Sequence, residues 1–303
     1  MSLKKETPLD IKLHAAAANG DIKLIQKLLD TGRVHVDCRD DEKTTPLILA
    51  AANGHLDAVN LLLDQGANIS AARCTGTTAL FFAAQGGFTD VAKLLISRGA
   101  PINSCSLDGA TPLFVACQCG YLNIVQMLLS NGAILNCRLA DASSPLFIAA
   151  QNGHTNVVRF LLSCGCEIDS KRQDGTTPLW IAAQMGHRDV VRLLLKHGAF
   201  IDSKRKDGGT PLFKACHKGH IGVVEELLKH NPNLGLLPNG ESVLHVAVLG
   251  GHVDIAKLLL KYRANPVLKN LDGCSPMQLA FQSKIPKMQD LFKTHVQFKS
   301  NQK

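Results

Sequence analysis

From Thr177 to Gly198 the chain sets down two short apolar clusters with a polar break between them. Pro178, Leu179, Trp180, Ile181, Ala182 and Ala183 form the first, and Val190, Val191, Leu193, Leu194 and Leu195 form the second. Each is long enough for two turns of helix, and the second carries a broad apolar face on helical spacing. Gly186 and Gly198 follow the clusters, where a left-handed C-cap fits. The pattern predicts two short antiparallel helices joined by a tight turn.

The same pattern recurs along the chain. Leu179 has counterparts at Leu80, Leu113, Leu146 and Leu212, each 33 residues from the next, and at Leu47 before them. Leu13, Leu244 and Met277 extend the series in steps of 34, 32 and 33, which makes nine repeats. A fixed period of this length is the mark of a repeat architecture, and it removes the need for a single shared core.

Each repeat opens with a turn signal. Asp108-Gly109, Asp174-Gly175, Asp207-Gly208 and Asp272-Gly273 supply residues that tolerate the positive φ of a tight hairpin. Thr45-Pro46, Thr111-Pro112, Thr177-Pro178 and Thr210-Pro211 then join a capping hydroxyl to a ring suited to the first helical turn. Gly54, Gly87, Gly120, Gly153, Gly186 and Gly219 end the first helix. Asp57, Asp90, Asp189 and Asp254 place negative charge in the first turn of the second helix, complementing its dipole.

Read in register, these positions give DGxTPLxxAAxxGHxxVVxxLLxxGAxID, which resembles the ankyrin repeat over about residues 7–292. The resemblance implies an all-α solenoid of about nine stacked helix-turn-helix units with β-hairpin loops. It also implies a concave face built from hairpins and first helices, and no enzymatic activity. On this reading residues 1–294 form one domain and residues 295–303 a basic polar tail. The terminal repeats carry the expected caps: Met288, Leu291 and Phe292 line one side of the last helix, while Asp10, Lys12, Lys23 and Lys27 keep the first repeat's outer side polar.

Composition narrows the function class. Apolar residues make up 46% of the 303 and charged ones 19%, the balance of a folded chain. No apolar run approaches the roughly 18 residues of a membrane span, and the N-terminus lacks a secretion signal, so the expected compartment is the cytoplasm or nucleus. Ten cysteines form neither a disulfide framework nor paired zinc spacing. His55, His154, His187, His220 and His252 come one per repeat, a layer apart and too distant to share an ion. No nucleophile, base and orienting group fall together, so neither catalysis nor a cofactor is expected.

Three features lie outside the scaffold requirement. Gln85, Gln118, Gln151 and Gln184 close successive first helices, where their amides can bond to one another or to a peptide backbone. Phe81, Phe114, Phe147, Trp180 and Phe213 occupy the position where the family usually has His; they predict either packing between repeats or an apolar strip for a partner. Lys171, Arg172, Lys204, Arg205 and Lys206 with Lys214 and Lys218 make a basic patch, on a chain of net charge +8.

The expected contact surface is the concave face of repeats five to seven, with Gln151, Asn152, Arg172, Trp180, Gln184, Met185, Arg205, Lys206, Phe213, His217 and Lys218 as candidate partner-binding residues. A protein or peptide is the expected partner, acidic ones included, and the chain is expected to be monomeric. Nucleic acid or acidic lipid on the basic hairpin edge is the competing reading. The stretch from His230 to Ser242 breaks register and is one residue short, which predicts a local change of curvature.

Overall fold

The computed structural model describes residues 6–238 and 240–300, with side chains described through His295. Among these residues there are eighteen helices in nine pairs. The first helices of the pairs are α1 (Pro8–Asn19), α3 (Pro46–Ala52), α5 (Ala79–Gly86), α7 (Pro112–Cys119), α9 (Pro145–Gln151), α11 (Pro178–Met185), α13 (Pro211–Lys218), α15 (Val243–Leu249) and α17 (Pro276–Gln282). The second helices are α2 (Ile22–Asp30), α4 (Leu56–Asp64), α6 (Thr89–Ser97), α8 (Leu122–Ser130), α10 (Thr155–Ser163), α12 (Arg188–Lys196), α14 (Ile221–Leu228), α16 (Val253–Lys261) and α18 (Pro286–Ser300).

Two compact halves, Met1–Ala149 and Ala150–Lys303, divide the chain within α9. In the N-terminal half α1, α3, α5 and α7 pack in sequence as one layer, and α2, α4, α6 and α8 as another. The C-terminal half repeats the plan, with α11, α13, α15 and α17 in one layer and α10, α12, α14, α16 and α18 in the other. Each half is an ankyrin-type solenoid in which a repeat touches its neighbours and the core runs as a seam.

The anchors lie in that seam: Leu13, Leu47, Leu80, Leu113, Leu146, Leu179, Leu212 and Leu244 are each at most 1% exposed. Burial of one such side chain contributes about 1.5–3 kcal/mol. Local chemistry sets where the helices start. Thr45, Thr111, Thr177 and Thr210 each accept a hydrogen bond from the backbone N–H three residues on, with proline at the helix start.

The hairpins turn differently from the two-residue form the Asp-Gly pairs suggest. The Gly175 N–H donates to the Arg172 carbonyl at 2.9 Å and the Arg172 N–H to the Thr176 carbonyl at 3.0 Å, closing a three-residue loop. Only the glycine takes positive φ, +85° at Gly175. The aspartate stays out of the left-handed region; Asp174 Oδ1 accepts from the Thr176 N–H at 3.0 Å. Among the described residues β pairing is confined to isolated bridges, such as Ala72 with Thr78.

The irregular stretch keeps the plan by substitution. Asn231 takes the left-handed turn, at φ +52°, where the six preceding repeats use glycine. The loop then closes with a Leu236–Ser242 bridge, and α13 still packs against α15.

The ends of the chain differ in finish. Met288 and Phe292 are fully buried and Leu291 half-buried, as the capping pattern predicts. The first repeat is less polar outside than expected: Ile11, Ile22 and Leu24 are exposed beside Lys12, Lys23 and Lys27. Leu24 stands where later repeats hold the buried Ala58 and Val91. Residues 295–300 continue the backbone of α18, whereas 301–303 of the expected tail lie outside the described residues.

Candidate functional site

In the C-terminal half the first helices end on residues that the repeat does not need for packing. Met185 at the end of α11 is 46% exposed, and His217 and Lys218 at the end of α13 are exposed. Leu249 at the end of α15 is 59% exposed. Gln151 and Gln184 are half-buried, and their contribution to the scaffold is made by the main chain. The Gln151 carbonyl meets Nε2 of His187, and that of Gln184 meets Nε2 of His220, both at 2.9 Å. Asn152, at the edge of this half, is exposed.

Trp180 is not part of that surface. It is only 3% exposed, and its indole N–H donates to the Gly209 carbonyl at 2.9 Å. The hydrogen bond satisfies the one polar atom of a ring buried between repeats six and seven, so Trp180 supports the wall from within. Phe81, Phe114 and Phe147 are likewise buried, as packing between repeats requires and an apolar strip offered to a partner does not. Phe213 alone of the five is half-buried.

Charge around Trp180 is sorted into two classes. The Arg205 guanidinium lies 5.4 Å from the ring centroid, with Nε 3.3 Å from Asp174 and a second nitrogen 3.5 Å from Asp207. Arg205 therefore ties the hairpins of repeats six and seven together rather than projecting toward a partner. The Lys206 N–H joins them too, donating to the Asp174 carbonyl at 3.0 Å. Burial alone would raise the Asp174 carboxyl; the Thr176 hydrogen bonds and the charges of Arg172 and Arg205 hold it below the usual range. Arg172 is half-buried at the base of its own hairpin.

The second class is uncompensated. Lys214 Nζ sits 5.8 Å from the Trp180 ring centroid. Lys171, Lys204, Lys206 and Lys218 are exposed, and among the described residues none of these five lysines makes an ion pair. His217 registers the resulting positive field: burial, then Lys214, Lys218 and His252, push its pKa below the ordinary 6.5.

Sequence reasoning left Lys214 and Leu249 outside its candidate set. In register, Lys214 replaces the buried Ile181 and Leu249 replaces Gln184, so a change of class at a repeated position was the available signal. A third such change is Glu226, 4% exposed, where the preceding repeat has Leu193. Its carboxylate lies 2.9 Å from Lys229 and 3.3 Å from Arg192 in the second-helix layer.

Among the described residues no three His, Cys, Asp or Glu side chains gather as a metal-binding group, and no helix is long and apolar enough to cross a membrane. No disulfide joins the ten cysteines; Cys117 and Cys216 are buried as small fillers, and burial pushes the Cys166 thiol up to about 12.

Comparison with known proteins agrees with this architecture. A family model described as ankyrin repeats in three copies matches residues 10–73, 68–139, 134–205 and 201–270. Over 73 residues the chain is 51% identical to Ankyrin repeat domain-containing protein 29 of Homo sapiens and 49% identical to that of Danio rerio. Those stretches span 24% of this chain and only 24% of each relative's length. A crystal structure of the human ASB11 ankyrin repeat domain superposes with a TM-score of 0.67 at 27% identity, covering 75% of this chain and 98% of that one. Repeat spacing, helix pairing and the family match over four successive segments agree: the chain belongs to the ankyrin-repeat family.

Proposed function

We propose that this chain is a non-catalytic protein-interaction scaffold or adaptor that holds a partner protein or peptide on the first-helix and hairpin face of its C-terminal half. Ankyrin repeats are generally protein–protein interaction modules. The observation that carries the reading is the run of helix ends at Met185, His217, Lys218 and Leu249, exposed without a packing role. Gln151, Asn152, Gln184, Lys206 and Phe213 flank it. Trp180 and Arg205 shape it from below. Residues 1–294 act as one domain, monomeric, in the cytoplasm or nucleus.

The hairpin lysines by themselves would attract any polyanion, nucleic acid and acidic lipid headgroups included. Exposed Met185 and Leu249 favour a protein instead, because apolar anchors beside charge suit a side-chain-bearing partner. Affinity capture with wild type and with Lys206→Glu/Lys218→Glu tests the surface, followed by binding measurements on each purified partner. Partners lost from the double variant support the reading. An identical partner set with unchanged affinities refutes it.

A further inference from the structure

The cations of the C-terminal half divide into a paired cluster and an unpaired one. On and beside α12 and α14, three basic side chains meet carboxylates: Arg188 lies 3.2 Å from Glu225, Arg192 lies 3.2 Å from Asp189 and 3.3 Å from Glu226, and Lys229 lies 2.9 Å from Glu226. Across the first helices and hairpins, Lys171, Lys204, Lys206, Lys214 and Lys218 have no such partner among the described residues. The nearby Asp174 and Asp207 are already held by Arg205. Five lysines are thus left without a carboxylate partner on the face proposed for docking, beside an arginine, Arg205, that already holds the nearby aspartates.

Apolar side chains frame that charge. Met185 ends α11 and Leu249 ends α15, with His217 and Lys218 of α13 between them. Helices pack about 8–10 Å apart, so the two apolar ends are separated by about 16–20 Å. An extended chain advances about 3.3 Å per residue, so that span corresponds to about five or six residues.

We infer that the occupant of this face is an acidic, extended protein segment in which two apolar residues about five or six positions apart flank a run of Asp or Glu. The apolar residues seat on Met185 and Leu249. The carboxylates between them meet Lys214 and Lys218, with Lys204 and Lys206 reaching over from the hairpin. This rests on the docking reading above and specifies the chemistry of the partner.

The test uses the whole protein and a labelled peptide with two leucines five residues apart and Asp or Glu between them, read by fluorescence anisotropy. Companion peptides replace the acidic residues with Gln or with Lys. The acidic peptide is expected to bind about tenfold more tightly than the Gln peptide, the yield of several weak exposed ion pairs, with the difference shrinking as salt rises. Lys214→Glu/Lys218→Glu should reverse the order in favour of the Lys peptide, and circular dichroism checks that the variant stays helical. Lys218→Glu alone, at an exposed position, should shift the order the same way if the double variant unfolds.

Equal binding of the acidic and Gln peptides overturns the inference. If that binding is nonetheless lost in Met185→Asp/Leu249→Asp, the docking surface stands and only its charge preference falls. Failure of every peptide, or binding that neither variant pair alters, removes both. Tighter and more steeply salt-dependent binding of a labelled single-stranded oligonucleotide, abolished by the same lysine variants, would reassign the face to nucleic acid.

Discussion

The fold lowers the pKa of both Glu226 and His217, one in each helix layer. Burial by itself would raise the Glu226 carboxyl; hydrogen bonds and charge from Lys229 and Arg192 outweigh it and hold the carboxyl below the ordinary 4.5. A carboxylate lowered in the folded state contributes stability that is fully present above the unfolded value and is lost as pH falls through the folded one. Glu226→Gln should therefore cost about 1–2 kcal/mol at neutral pH, and the gap to wild type should close toward pH 3, as measured by urea unfolding at each pH. A gap that stays constant with pH would mean the charge is not what Glu226 contributes. At His217, replacing Lys218 with Gln removes one of the cations that disfavour its proton, so its pKa should rise toward 6.5 in an NMR titration. The acidic peptide should move it the same way, since carboxylates favour the imidazolium. Lys214 and His252 still oppose protonation in the variant, and Glu241 favours it, so the recovery is partial.

At the scale of the element, the turns separate what glycine does from what the chain tolerates without it. Lys43 and Ala142 adopt φ of +62° and +66° at the hairpin position that Gly175 holds elsewhere. Left-handed backbone costs an L-residue about 1–2 kcal/mol, partly offset by the greater freedom glycine loses on folding. Ala142→Gly should stabilise the protein by about 0.5–1 kcal/mol, seen as a higher melting temperature. Gly219→Ala should do the reverse and by more: φ is +78° and a Cβ there would come 2.6 Å from the His252 ring. These signals are local, which is why the helices, caps and repeat register could be read in advance. Trp180 could not be placed so easily, because its indole partner, the Gly209 carbonyl, is 29 residues away and one repeat on. A residue at that position faces both the seam between repeats and the open side, and both accept an aromatic ring. Lys214 was similarly opaque, since the aromatic ring it lies over is on the preceding repeat.

Stacked repeats gain stability from their own helices and from nearest-neighbour seams, so the molecule as a whole need not unfold at one denaturant concentration. Residues 1–294 are proposed to form a single domain, and the position of the one tryptophan allows that to be tested without adding a probe. Trp180 lies in the half from Ala150 to Lys303, buried at 3% exposure, so its emission should be blue-shifted in the native state and report on that half alone. Far-ultraviolet circular dichroism reports on helices of both halves at once. A single domain predicts urea transitions by the two signals that coincide in midpoint and slope. Trp180→Phe removes the indole hydrogen bond to Gly209 and weakens the attraction that Arg205 and Lys214 gain from the larger ring, a loss of about 1–2 kcal/mol. With dichroism as the readout, cooperative halves would shift the entire transition of that variant to lower urea. Independent halves would instead split it, with the early phase carrying the C-terminal helices and the N-terminal half melting where it did before; that outcome would replace one domain with two.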